Sequence, residues 1–170
     1  RIPPPFFPAA RIPRRPQYTD EERCLQRNKK STPETPVSEF IHLHCHSEYS
    51  MLDSAIRLPA LCERAVSFGM EACAVTDHGN LCAAAEFQKV CREYGIRPIF
   101  GCEIYTCPDR RLRDGGAPHH LILLARTQEG WSNLSHLVSE AWISGFCGKP
   151  RADWELLSRF RDGLTCLSAC

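Results

Sequence analysis

Imidazoles and carboxylates recur in this chain at the ends of successive apolar runs. His44 and His46 close a run that begins at Phe40. Side chains two apart on a strand share a face, so these two imidazoles can bind one cation. Asp53 follows in the next loop. Asp77 and His78 close a second run, Glu103 lies in a third, and His119 and His120 open a fourth. A lone strand histidine is more often a packed residue than a ligand. Several imidazoles and carboxylates at equivalent places are different, because burying them together without a cation is costly. Imidazole with carboxylate suits Zn²⁺, Mn²⁺ or Fe rather than Mg²⁺ or Ca²⁺. More than four ligands imply two or three ions. Clustered ions bind phosphate oxygens and lower the pKa of a bound water, which is the logic of phosphoester hydrolysis. The residues alone thus point to a multinuclear metallohydrolase site and leave its substrate open.

The runs themselves predict the elements that must position these groups. Residues 40–44 read as a strand. Residues 58–68 read as a helix, with Pro59 tolerated in its first turn and Gly69 at its stop. The short, nearly continuous apolar run 72–76 fits a strand covered on both faces. A helix over 81–94 closes at Gly95, and strands follow over 97–106 and 120–125. Thr127 can cap a helix running to residue 143, with Glu129 well placed for its N-terminal dipole. A short helix near 154–160 leads to a last strand, 164–168. Strands and helices that alternate in this way predict β-α units, and hence a parallel sheet or barrel. In such folds active groups collect at the C-terminal ends of strands.

Composition limits the function classes. The 170 residues are 43% hydrophobic and 24% charged, as in an ordinary globular domain with a real core. Residues 1–38 hold eight Lys/Arg against four Asp/Glu, and the remainder thirteen against sixteen, so +4 and −3 make up the net +1. A mildly acidic folded part offers no broad basic face, and any grip on nucleic acid must lie mostly elsewhere. Residues 1–38 also hold eight of the thirteen prolines, which predicts a disordered or extended lead-in, either a basic tether or a dispensable extension. The eleven cysteines form no C-x-x-C pair, and Cys62, Cys73, Cys82 and Cys91 sit in apolar runs. They are expected to be reduced and buried. No stretch nears the roughly 18 apolar residues of a membrane span, and the start lacks the apolar region of a secretory signal. A cytoplasmic protein is expected.

The motifs resemble a known family. They are His42-Leu43-His44-Cys45-His46-Ser47-Glu48-Tyr49-Ser50-Met51-Leu52-Asp53, then Thr76-Asp77-His78-Gly79-Asn80 with Ala85-Glu86-Phe87. Pro98-Ile99-Phe100-Gly101-Cys102-Glu103-Ile104-Tyr105 follows, then His119-His120-Leu121-Ile122-Leu123-Leu124-Ala125 and Gly130-Trp131-Ser132-Asn133-Leu134. In this order they resemble the PHP domain, and more narrowly the PHP domain that opens bacterial DNA polymerase III alpha subunits, over residues 39–170. The resemblance implies an α/β fold, a distorted (β/α)7 barrel cut before its last strands, with up to three metal ions. Carried over by position, the ligands are His44, His46, Asp53, His78, Glu103 and His120. His42 falls one alternation earlier and is given a core role, Asp77 is expected to orient His78, and His119 to face away. Cys170 falls near a strand end where the family can place a thiolate ligand.

The same resemblance implies partners: the proofreading exonuclease subunit, other replisome subunits, and DNA through a parent polymerase. The Mg²⁺ of such a polymerase binds carboxylates outside this stretch, so the 170 residues by themselves are expected to be at most a metal-dependent phosphoesterase. Two departures stand out. The sequence stops at Cys170, before the family's last Asp-x-His motif, and its proline-rich lead-in is long. The alternatives are a stand-alone metallophosphoesterase akin to histidinol-phosphate phosphatases, and a non-catalytic module whose ions brace a protein–protein surface.

Overall fold

A computed structural model of the chain describes residues 38–113 and 117–169. Of the proline-rich lead-in only Ser38 falls among these, and its N–H already bonds the Gly69 carbonyl of the folded part. Cys170 lies outside the described residues.

The first helix, α1 (Leu58–Ser67), carries Pro in its first turn and buries Leu58, Leu61, Cys62 and Ala65, one stripe at helical spacing. β1 (Ala72–Val75) is buried at every position. The second helix, α2 (Ala84–Tyr94), starts later than the apolar pattern suggests. The Asn80 side chain explains the delay: its Oδ1 accepts the Cys82 N–H at 3.0 Å and holds an Asx turn where the helix would have begun. β2 (Arg97–Thr106) and β3 (His119–Ala125) follow. In α3 (Gln128–Ser144) the Thr127 hydroxyl caps the helix by accepting the Gly130 N–H. β4 (Phe146–Cys147) and β5 (Lys149–Ala152) form a small hairpin that the sequence pattern did not reveal. Asp153 caps the short α4 (Trp154–Arg159), and β6 (Leu164–Ser168) ends the described chain.

The sheet runs β4-β5-β2-β3-β6, with β1 against the first half of β2. The expectation of a purely parallel sheet needs correction. β2 is parallel to β1 and to β5, but β3 is antiparallel to both β2 and β6. A parallel return needs a crossover, usually a helix. Among the described residues between Thr106 and His119 there is no helix, so the chain simply turns back.

The segment expected as a first strand, 40–44, is not a regular strand. It runs beside β1, where the Ala74 N–H bonds the His42 carbonyl and the Thr76 N–H bonds Cys45. Two residues on β1 thus match three on the segment, which is a bulge. Thr76 Oγ1, at 3.1 Å from both the N and the O of Cys45, takes up groups that a ladder would have paired.

Three apolar clusters lie on the sheet, one under α1 and α2 around Phe87, Cys73 and Val75, one under α3 around Leu134, Leu137 and Leu123, and a smaller one of Ala74, Ile122 and Leu124. Beside the second, buried Arg110 donates to Asp153 Oδ1 at 2.6 Å. The nine described cysteines are free thiols. Cys62, Cys73 and Cys91 are buried as expected, but Cys82 is exposed because it falls in the Asx turn rather than on a helix. No described helix is long and apolar enough to cross a membrane.

Candidate metal centre

The site is built around one carboxylate. Glu103 sits on β2, fully buried, where the pleat points it away from the apolar neighbours Cys102 and Ile104. Its two oxygens face different imidazoles. Oε2 lies 2.5 Å from His44 Nε2 and 3.0 Å from His46 Nε2, and these two nitrogens are 3.0 Å apart. Oε1 lies 2.5 Å from His120 Nδ1 and 3.8 Å from His78 Nδ1. Two ligand groups result, His44–His46–Glu103 and His78–Glu103–His120, each with its donor atoms within 4.8 Å of one another. The carboxylate belongs to both.

The positions follow from the fold. The bulge beside β1 turns His44 and His46 toward the end of β2. His78 leaves β1 in an isolated parallel bridge to Glu103, with the Gly79 N–H on the Glu103 carbonyl. Gly79 holds φ +60°, and a Cβ there would stand 2.6 Å from Pro150 Cγ, so the turn after His78 requires glycine. The Gly79 carbonyl in turn accepts the Trp142 indole N–H at 2.7 Å. His120 reaches the site from β3, paired with Tyr105.

Ring contacts and charge complete the centre. His46 stacks on His78 at 4.2 Å between centroids, and the Tyr105 ring meets His120 edge-on at 4.9 Å. Burial holds the His78 imidazole below its ordinary value, which keeps it in the neutral, ligand-competent form. Burial alone would raise the Glu103 carboxyl. The hydrogen bond from His44 and the surrounding imidazoles outweigh it and hold the carboxyl below the ordinary range.

Among the described residues, four buried side-chain atoms have no hydrogen-bond partner: Nδ1 of His46, His78 and His120, and Glu103 Oε1. His120 Nδ1 is close to that oxygen but off the hydrogen-bond direction. Unsatisfied groups of this kind cost about 1–3 kcal/mol each. A cation seated among His78, Glu103 and His120 would satisfy three of them, so the donor set fits a metal.

The remaining sequence candidates divide. Asp53 is largely exposed, with Oδ2 3.9 Å from His78 Nε2, at the margin of the second group. Asp77 does not touch the His78 ring, contrary to expectation. Its Oδ1 accepts the Ser47 N–H and the Ser50 hydroxyl, and its Oδ2 the Ser47 hydroxyl, all at 2.7 Å. Asp77 therefore fixes the loop that carries His46 and Asp53. Ser50 passes the restraint to His78 by accepting its backbone N–H. His42 is exposed and packs only on Phe40 among the described ring contacts, so its expected core role fails; the bulge turns it outward. His119 is exposed, as alternation from His120 requires. Sequence reading missed Ser47, Ser50 and Tyr105. Only Tyr105 had a signal, its place two residues beyond Glu103 on the same strand face.

An α/β sheet that brings imidazoles and a shared carboxylate together is compatible with metal binding. The PHP domain family model matches residues 42–170, and the chain belongs to that family. It is 48% identical over 136 residues to the DNA polymerase III subunit alpha of Treponema pallidum, covering 77% of this chain and 12% of that one. The same protein of Chlamydia trachomatis is 46% identical over 136 residues, at 77% and 11% coverage. The chain thus spans about an eighth of the length of these curated relatives. Among solved structures, an amidohydrolase from Chromobacterium violaceum aligns with a TM-score of 0.46 at 24% identity, covering 59% of this chain and 32% of that one.

Proposed function

We propose that residues 39–170 are the PHP domain of a bacterial DNA polymerase III alpha subunit, preceded by residues 1–38 as a lead-in, and that its centre holds two to three Zn²⁺, Mn²⁺ or Fe ions. The parent protein would carry out DNA-templated DNA synthesis in the cytoplasm, with Mg²⁺ at a polymerase site outside these residues. The proofreading exonuclease subunit, other replisome subunits and DNA are its expected partners. The order of the motifs and the identity to the alpha subunits support this reading.

In the metal centre, His44, His46 and Glu103 would hold one ion, and His78, Glu103 and His120 a second, with Asp53 beside His78. Bound ions of this class supply Lewis acidity and a water of lowered pKa, suited to phosphoester or 3′-end hydrolysis. The chain's own residues keep the ligands in register: Asp77 ties down the loop of His46 and Asp53, and Tyr105 wedges against His120. The observation that carries the reading is the fully buried Glu103, whose oxygens face imidazoles from three separate segments while partner atoms stay unsatisfied.

The test is metal content by mass spectrometry of the parent protein, beside hydrolysis of a bis-aryl phosphodiester and of a primer with a mismatched 3′ end. Two or three transition-metal ions per chain support the centre, and hydrolysis that follows metal content supports catalysis. Metal without hydrolysis would leave a bracing role. Absence of bound metal after loading would overturn the proposal. Sequencing the gene past the codon for Cys170 separates the parent readings. A continuation of polymerase length with paired palm carboxylates supports the first, and an early stop after one Asp-x-His motif supports a free-standing metallophosphoesterase.

A further inference from the structure

A second cluster of metal-capable side chains lies in the apolar core beneath α1 and α2. Cys62 on α1, Cys73 on β1 and Cys91 on α2 place three thiol sulfurs within 4.8 Å of one another, and all three residues are 0% exposed. The Cys62 and Cys91 sulfurs are 3.6 Å apart. Two sulfurs on a common pyramidal, three-coordinate ion, with bonds of about 2.3 Å and angles of roughly 95–105°, stand roughly 3.4–3.7 Å apart, so the spacing suits shared coordination. The surrounding side chains are apolar: Leu58, Leu61, Ala65, Val75, Phe87 and Val90. Among the described residues no further His, Cys, Asp or Glu joins the three. Cys45 packs against the same cluster without entering that group.

We propose that Cys62, Cys73 and Cys91 form a trithiolate site for a three-coordinate thiophilic ion of charge +3, of which arsenic(III) is the type. Charge decides the class. Three thiolates carry −3 into an apolar shell, and net charge there is costly. A trivalent ion leaves the site neutral, whereas Zn²⁺ leaves −1 and calls for a fourth ligand. Arsenous acid enters as a neutral molecule. Three As–O bonds and three S–H bonds break, three As–S bonds form, and each thiol proton leaves in a water, with no change of oxidation state.

The test titrates the full chain with arsenous acid, read by native mass spectrometry, arsenic X-ray absorption and mapping of the cysteines protected from alkylation. The expected result is one arsenic per chain with three sulfur neighbours, protection confined to Cys62, Cys73 and Cys91, and loss of uptake in Cys73→Ala. Cys82→Ala, at an exposed thiol, should bind as the parent does. No uptake by folded protein, an oxygen or nitrogen among the arsenic neighbours, or protection at other cysteines would each overturn the proposal. Tight retention of Zn²⁺ with a fourth ligand would do so too. Should Cys73→Ala not fold, the absorption spectrum and protection map of the parent chain decide alone.

Discussion

Replacing Asp77 by alanine should loosen the metal centre although Asp77 touches none of the proposed ligand side chains. Its carboxylate is 1% exposed and accepts three hydrogen bonds of 2.7 Å, from the Ser47 N–H, the Ser47 hydroxyl and the Ser50 hydroxyl. Bonds to a charged group contribute about 1.5–3 kcal/mol each. Ser47 and Ser50 are themselves buried, at 0% and 3%, so water cannot readily replace the lost acceptor. The three terms are not additive, because the loop relaxes once the first is gone. A net loss of about 3–5 kcal/mol is expected, near the upper end for one substitution. For a chain of this size that lowers Tm by roughly 10 °C. The freed loop carries His46 and Asp53, so metal affinity should fall about 10–100-fold, as for other groups that orient ligands. Asp77→Asn keeps one acceptor oxygen and should lose less of both. The assays are thermal unfolding and competition with a fluorescent chelator. An alanine variant with unchanged Tm and unchanged metal affinity would refute the reasoning; unchanged affinity with a lowered Tm would confine Asp77 to folding.

Three further outcomes follow from the same geometry. His44→Ala and Glu103→Ala should each lower bound metal, the latter by more because Glu103 serves both ligand groups, while His42→Ala should leave metal content unchanged by elemental analysis. Gly79→Ala meets both a left-handed φ and Pro150, and should cost about 1–3 kcal/mol in urea unfolding as well as displacing His78. Burial would raise the Asp153 carboxyl, but N–H bonds from Leu156 and Arg110 and the Arg110 guanidinium outweigh it and hold it below its ordinary 3.8. A depressed carboxylate contributes stability above its unfolded value that is lost as pH falls through the folded one. The stability gap between the parent chain and Asp153→Asn should therefore be full at neutral pH and close progressively below about pH 4; a gap independent of pH would remove the ionic part of the account.

Much of this architecture was legible in the residues. Helices over 58–67 and 128–144 and strands over 97–106 and 164–168 stand where the apolar runs and caps place them, because Pro59, Thr127 and those runs act locally. His44, His46, His78 and Glu103 come together as their places after or late in successive runs suggest, whereas His120, at the start of β3, joins them only because β3 runs antiparallel. What escaped depended on non-local pairing. The direction of β3 follows from a connection with no helix among its described residues, not from the β3 sequence itself. The outward turn of His42 accompanies a bulge at which Thr76 Oγ1 bonds the Cys45 backbone. The role of Asp77 rests on serines nearly thirty residues earlier in the chain, a separation that no periodicity displays.

The indole of Trp142 gives the molecule an optical reporter. Its N–H donates to the carbonyl of Gly79, one residue beyond His78, and its ring lies half exposed, stacked at 5.2 Å on Phe146. Indole emission responds to the strength of that hydrogen bond and to local polarity. Any ion that draws the His78 backbone toward Glu103 moves the Gly79 carbonyl with it, and so shifts the colour of Trp142 fluorescence. Loading of the proposed centre would then register in solution, without a label, in the Trp142 part of the emission, through a side chain on α3 that coordinates nothing.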